Sequence, residues 1–301
     1  MTCMDRSLWS FGVGRCVRTV LLLYLFVASA PVAVLHAQSD LPPALEDAGA
    51  GEPKPGTDDG EAGEGKLEAA GADTDPTKPV FFSFRNEFYD LKQGLWRNDT
   101  LLRADRAILE KTELPGRARG FLLRADLPAV VTFHDGHDTE TGLGDLYGQA
   151  LFAPRIAGRR LFLAAGTGLV LPTATGESFG LGKWIAAPAV IPVYFFPKRG
   201  LSYVKIQDWI SFAGSPGRPD VHFLTVTPAF LWRLTKRWYV LADEESLTNW
   251  EKDGRTSYKG GFLLGVMPWR RVGIALKAEI PFGENRLGDW TLKSIFYRTR
   301  Y

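Results

Sequence analysis

Cysteine is nearly missing from this chain: among 301 residues only Cys3 and Cys16 carry thiols, and both precede an apolar stretch, Val20 to Leu35. If that stretch is a cleaved leader, the mature protein has no disulfide, no thiolate metal site and no cysteine nucleophile. Neither cysteine is placed to accept a lipid. Long apolar runs are missing too. From Val80 onward no uninterrupted segment is long enough for a transmembrane helix. Histidine is scarce, with four copies, which leaves little for metal or acid–base sites. Strong net charge is also lacking: the formal value is +2, so no nucleic-acid partner is expected. A mean hydropathy of −0.09 does not exclude a membrane protein, because in a barrel only alternate residues face lipid.

At the N-terminus, Arg6, Arg15 and Arg18 precede the apolar stretch, and Leu35-His36-Ala37 offers a small residue at a cleavage point before Gln38. Residues 1–37 therefore read as a secretory signal peptide. A retained anchor is disfavoured, since the stretch is short for a spanning helix and is interrupted by Pro31. Residues 38–78 are rich in Gly, Ala, Pro, Asp and Glu and contain no aromatic residue. Such a segment cannot bury enough apolar surface to offset chain entropy, and is expected to be a disordered linker. Its eleven acidic residues against three lysines give it a net charge of −8.

Residues 79–301 change character to aromatics, β-branched residues and glycine. Val272 to Ile280 alternates cleanly, with Val272, Ile274, Leu276, Ala278 and Ile280 on one face and Arg271, Gly273, Ala275, Lys277 and Glu279 on the other. One such strand would suit a soluble sheet equally well. Repetition decides it. Phe121, Leu123, Ala125, Leu127, Ala129 and Val131 are expected outward on a second strand, and Leu161, Leu163, Ala165, Leu169 and Leu171 on a third. Similar segments fall near 80–89, 100–109, 142–154, 183–195, 201–212, 221–233, 237–247, 257–267 and 289–301, twelve in all. The expected fold is an all-β, antiparallel, up-and-down transmembrane barrel, with ten or fourteen strands as the alternatives.

The connections alternate as such a barrel requires. Ala157-Gly158-Arg159, Pro197-Lys198-Arg199, Thr235-Lys236 and Pro268-Trp269-Arg270 are tight, whereas 132–141, 172–182, 213–220, 248–256 and 281–288 are longer and polar. The connection at 110–120 should be short and is not. Aromatic residues gather at both ends of the strands: Phe195, Phe196, Trp232, Trp238, Trp269 and Tyr301 near the tight turns, Phe133, Trp209, Phe212, Trp250 and Trp290 near the long loops. Rings at both interfaces form a membrane girdle. Tyr301, with Tyr297 and Ile295 on its face, resembles the aromatic C-terminal signal read by the outer-membrane assembly machinery, an expected partner. Pro128, Pro154, Pro188, Pro192 and Pro228 each remove a ladder donor, so bulges or displaced strand ends are expected there.

The stretch Thr141-Gly142-Leu143-Gly144-Asp145-Leu146-Tyr147, then Gly166-Thr167-Gly168-Leu169-Val170-Leu171-Pro172-Thr173, then Gly182-Lys183-Trp184, resembles a family of outer-membrane barrels associated with meta-pathway phenol degradation. The resemblance is good over Thr141 to Val193 and extends to the rest only in pattern. It implies a transporter-like barrel for small hydrophobic or aromatic compounds and carries no catalytic residue with it.

No enzyme is expected. His134-Asp135-Gly136-His137 sits in a surface loop without a third metal ligand, and His222 has no nucleophile motif beside it. No cofactor is expected either. The inward positions carry more information: Arg85, Glu87, Arg124, Asp126, Asp145, Tyr147, Lys205, Gln207, Asp243, Glu245, Lys277 and Glu279 are the candidate lumen-lining residues. Both signs recur, so they either line a weakly selective pore or close a narrow lumen with salt bridges. The expected function is an outer-membrane channel for small solutes in the lipid bilayer of a Gram-negative bacterium, the alternative being a structural or docking barrel. Around the tight turns lie Arg159, Arg160, Lys198, Arg199, Lys236, Arg237, Arg270 and Arg271, a basic rim that should attract the acidic linker.

Overall fold

The computed structural model describes residues 80–111, 118–153, 160–196 and 200–299. The signal-peptide and linker readings, and Tyr301, lie outside the described residues. Thirteen strands run in chain order: β1 (Val80–Asp90), β2 (Trp96–Lys111), β3 (Ala118–His134), β4 (Thr139–Gly142), β5 (Leu146–Ala153), β6 (Leu161–Leu171), β7 (Lys183–Phe196), β8 (Gly200–Gly214), β9 (His222–Arg233), β10 (Trp238–Asn249), β11 (Arg255–Trp269), β12 (Val272–Phe282) and β13 (Trp290–Thr299). β4 and β5 both pair with β3; otherwise each strand hydrogen-bonds the next in antiparallel sense, β1 pairs with β13, and the sheet closes on itself. The result is a closed twelve-strand barrel with one extra short strand, β4.

That extra strand is a local interruption. Val131 opposite Gly142 and Asp126 opposite Tyr147 belong to one continuous register, so β4 and β5 are two halves of a strand broken at Leu143–Asp145. The break has a steric cause. Gly144 donates its backbone N–H to the Pro128 carbonyl at 2.9 Å, and a Cβ at Gly144 would lie 2.7 Å from the Pro128 ring. Only glycine allows that approach.

Pro128 also shifts the β2–β3 ladder: Thr100 faces Val130 and Leu101 faces Pro128, leaving Ala129 as a bulge. Alternation flips beyond it. Val131, expected outward, is therefore wholly buried, and Val130 is 43% exposed in its place.

Elsewhere the exposed and buried faces alternate with period two, inverted relative to a soluble protein. Outward lie Phe121, Leu123, Leu127, Phe262, Leu264, Ile274, Leu276, Ile280, Leu292 and Phe296, all exposed. Inward lie Arg85, Glu87, Arg103, Asp126, Lys277, Glu279 and Lys293, all buried. An apolar exterior around a charged interior is the partition of a barrel solvated by lipid. Trp238, Trp269, Phe212, Trp250 and Trp290 are exposed at the two ends, joined by Trp184 and Phe282. Three expected girdle residues face the other way: Trp209 is 2% exposed inside the barrel, Phe195 stands opposite the buried Leu201 and packs on the interior apolar cluster, and Phe133, beyond the bulge, stands opposite the inward Arg97. Ile295 and Tyr297, read as part of the C-terminal signal, also point inward and are buried.

Candidate functional site

The interior is layered. At the tight-turn end, Leu201, Tyr203, Ala229, Leu231, Tyr239, Leu241, Leu263, Ala275, Ile295 and Tyr297 form one apolar cluster. Its two central phenols, Tyr239 and Tyr297, hydrogen-bond each other at 2.9 Å, which satisfies both polar tips in a dry environment.

Across the waist runs a charged belt. On one wall, Lys293 on β13 lies 3.1 Å from Glu279 on β12 and 3.7 Å from Glu87 on β1. Lys277 reaches Glu279 at 2.6 Å and Asp243 on β10 at 2.7 Å. Lys259 on β11 joins Glu279 at 3.2 Å and Glu245 at 3.8 Å, and Arg85 completes the row 3.6 Å from Glu87. On another wall, Arg103 grips Asp126 with two bonds of 2.6 and 2.7 Å. Arg124 grips Asp105 at 2.8 and 3.3 Å. Opposite charges at facing positions on adjacent strands stabilise a sheet, and burial demands such pairing because an uncompensated charge is costly.

Nearer the long loops, Tyr147, Trp209, Phe223, Val170, Ile185, Ala187 and Leu247 form a second apolar cluster. Trp209 stacks on Phe223 with ring centroids 5.8 Å apart and an interplanar angle of 23°. Gln207 donates to the Tyr147 hydroxyl at 3.0 Å and to the Ala187 carbonyl at 3.1 Å. Tyr147 lies over Gly168, where a Cβ would run into the phenol, so the glycine makes room for the ring.

Above this cluster the connection 172–182 is tied inward. Asp145 accepts from the backbone N–H of Ala174 at 3.0 Å and of Leu181 at 2.6 Å. Arg218 donates to the Glu177 carbonyl at 2.6 Å, and Arg97, from β2, to the Ser178 carbonyl at 3.4 Å. Phe179, in a one-turn 3-10 helix Glu177–Phe179, is buried. At the same end, Lys183 donates to Asp220 at 2.8 Å and holds its carboxyl below the usual value of 3.8.

Of the twelve residues proposed from sequence, Arg85, Glu87, Arg124, Asp126, Asp243, Glu245, Lys277 and Glu279 belong to the belt, while Tyr147 and Gln207 sit in the upper cluster. Lys205 is buried on the same inward face of β8 as Gln207. Asp145 serves the loop above. Sequence reasoning missed Arg103, Asp105, Lys259 and Lys293. For the first pair a signal existed: Leu101-Leu102-Arg103-Ala104-Asp105 recurs as Leu122-Leu123-Arg124-Ala125-Asp126. Laid antiparallel, each arginine meets the other's aspartate. At the loop tip, His134 Nδ1 meets the Thr139 hydroxyl at 3.0 Å, and Asp135 accepts from the backbone of His137 and Asp138. No group of three metal-ligating side chains occurs among the described residues.

No protein-family description matches this chain, and no curated protein does. Solved structures do. An outer membrane channel from Pseudomonas putida F1 superposes with a TM-score of 0.60 at 7% identity, covering 76% of this chain and 98% of that one. The NanC porin gives 0.49 at 8% identity over 72% of this chain and 98% of its own. The KdgM porin, in complex with disordered oligogalacturonate, gives 0.44 at 8% over 73% and 99%. The likeness is one of fold.

Proposed function

We propose that this protein is an outer-membrane channel of a Gram-negative bacterium that passes small solutes, with hydrophobic or aromatic compounds as its preferred cargo. The observation that carries the reading is the buried belt of paired charges inside a lipid-solvated barrel. Such a belt gives the waist the polar groups a solute path uses, and the fold shared with an outer membrane channel favours that use over bracing alone. Support for the location comes from the secretory leader expected at residues 1–37 and from the fold shared with an outer membrane channel. In that setting the tight turns face the periplasm, the long loops face outward, and assembly proceeds through the outer-membrane machinery.

The layers support this choice of cargo. Apolar clusters lie on both sides of the belt, and the upper one presents a stacked indole and phenyl ring to the interior. A planar apolar body is matched there, and a single polar group is matched at the waist. The sequence resemblance to barrels of phenol degradation points the same way. Because Arg85, Glu87 and Lys293 are at most 1% exposed, the resting passage is narrow, and large hydrated solutes are excluded.

Purified protein in planar bilayers tests this. Small, weakly ion-selective conductance steps that a phenolic solute blocks from the long-loop side are expected. Silence in the bilayer, together with no uptake of such a solute by vesicles, would leave a structural barrel.

A further inference from the structure

The hairpin β8–β9 is fully paired within itself, by eleven unbroken pairs from Gly200–Trp232 to Ile210–His222. Its two outer seams are not. Between β7 and β8 the ladder passes from Ala186–Ile210 to Ala189–Gln207, and then from Val190–Ile206 to Val193–Tyr203. Pairing is therefore missing at Pro188 and again at Pro192. Between β9 and β10 it passes from Asp243–Ala229 to Ser246–Val226, so it is missing at Pro228. Proline has no N–H to give. The gaps at Pro192 and Pro228 fall on one row, since Val204 on β8 is paired with Pro228 and stands opposite Pro192 across the gap.

The same row continues to Glu244 on β10 and Gly260 on β11, which are paired. Glu244 points to the lipid side: its neighbours Asp243 and Glu245 bond Lys277 and Lys259 in the interior. It stands midway along its strand, six positions from Trp238 and six from Trp250, which are 44% and 50% exposed at the two ends. Its carboxylate makes no hydrogen bond or ion pair among the described residues. In hydrocarbon an open ladder position costs several kcal/mol, and an ionisable side chain at mid-depth marks function by default. Here both coincide at a break in the ladder. Backbone pairing stops at Asp243–Ala229 and resumes at Ser246–Val226, and two side chains cross the seam between and beside them, Thr227 to Glu245 on the inside at 3.3 Å and Ser246 to the Val226 carbonyl on the outside at 3.4 Å.

We propose that β8–β9 is a movable panel of the barrel wall, and that it opens a side passage between the lumen and the membrane core. The passage admits a small amphiphile with an apolar body and one hydrogen-bond-donating or cationic group. At the proline row opening breaks no backbone pair, and it spreads from there by parting the flanking pairs Val190–Ile206, Val193–Tyr203, Asp243–Ala229 and Ser246–Val226. Glu245 on the inner lip and Glu244 on the outer lip hand the donor group across, and Gly260 leaves room beside Glu244. This proposal rests on the channel reading above.

Two cysteine pairs lock the panel without touching the carboxylates: Val190→Cys with Ile206→Cys, and Val226→Cys with Ser246→Cys. Both are directly opposed pairs in the register, at the separation a disulfide spans. The probe is N-phenylnaphthylamine, an apolar amine that fluoresces on reaching the phospholipid of intact cells expressing the barrel. Oxidation of the doubly paired variant should reduce probe entry at least fivefold, toward the rate of cells without the barrel. Reduction should restore it, and ionic conductance in bilayers should be the same in both states. Equal probe entry when oxidised and reduced, with conductance intact, would overturn the panel and leave the channel standing. An unlocked protein with neither conductance nor probe entry would overturn the channel reading and the panel with it. If the cysteine variants fail to assemble, Pro192→Val with Pro228→Val returns the missing donors and should slow entry similarly; unchanged entry in that variant would overturn the panel equally.

Discussion

Removing the Asp126 carboxylate should destabilise the barrel more than any single change on its outer surface of comparable size. Asp126 is 2% exposed and holds Arg103, itself 1% exposed, through two bonds of 2.6 and 2.7 Å. With charge centres about 4 Å apart and an effective dielectric of about 20, the attraction is about 4 kcal/mol. Much of it offsets the desolvation of the two ions, so the pair adds little net stability over an apolar pair. Deleting one partner is different. Asp126→Ala leaves the Arg103 guanidinium buried without its bidentate acceptor, at a cost of about 3–5 kcal/mol. The reversed pair, Arg103→Asp with Asp126→Arg, keeps the facing geometry of β2 and β3 and should recover at least half of that loss. Urea-induced unfolding in lipid vesicles, followed by tryptophan fluorescence, measures both. A loss under about 1 kcal/mol for Asp126→Ala, the range of an exposed pair, would refute the burial of this pair. So would a reversed pair as unstable as the worse single variant.

Other perturbations probe the two faces and the two ends. Arg124→Glu or Lys277→Glu should shift the cation-to-anion permeability ratio toward cations; an unchanged ratio in bilayers that still conduct would remove both side chains from the solute path. Leu276→Arg, on the lipid face and 53% exposed, should cost about 2–4 kcal/mol near mid-depth, and a neutral outcome in the same unfolding assay would reverse the faces. The lowered pKa of Asp220 means that its contact with Lys183 stabilises the 215–221 loop above the ordinary carboxylate range and is lost as pH falls through the lowered value. A spin label at Ser215→Cys should therefore gain mobility only below 3.8, and a gain already near neutrality would contradict the tether. Deleting residues 38–77 should raise conductance at low salt and do little at high salt, since exposed charges are screened within about 8 Å at physiological ionic strength; an equal effect at both salts would dismiss an electrostatic cover.

The barrel was legible because its rule is periodic. A strand that reads alternately in sequence and carries no bulge, such as Val272 to Ile280, alternates in burial, and one face assignment then places every residue on it. The reading failed where that parity breaks. Ala129 is an extra residue opposite the β2 ladder, and nothing in the local composition says whether Pro128 ends a strand, bends it or bulges it. Val131 and Phe133 consequently appeared on the wrong face. Trp209 failed for another reason: an aromatic residue near a strand end suits a girdle and a lumen alike, and only its parity with Gln207 on β8 separates the two.

The belt was half legible. A charged residue at an inward position can be recognised on its own strand, but its partner is fixed by register, which the length of the connections leaves free by a residue or two. Arg124 and Asp126 were visible as inward charges; that they meet Asp105 and Arg103 depends on how far β2 slides along β3. The repeated Leu-Leu-Arg-Ala-Asp segment removes that freedom, because in antiparallel pairing only one alignment puts each arginine against an aspartate, and slipping by two residues would leave charges of one sign adjacent. On the wall from β1 through β13 to β10 the pairing is distributed over five strands: Lys293 and Lys259 each stand between carboxylates of the strands on either side, and Lys277 lies between Glu279 on its own strand and Asp243 on β10. Charge complementarity inside the barrel therefore does more than line a passage. It penalises a shifted register between β2 and β3, so residues proposed to line the solute path also hold these strands in alignment.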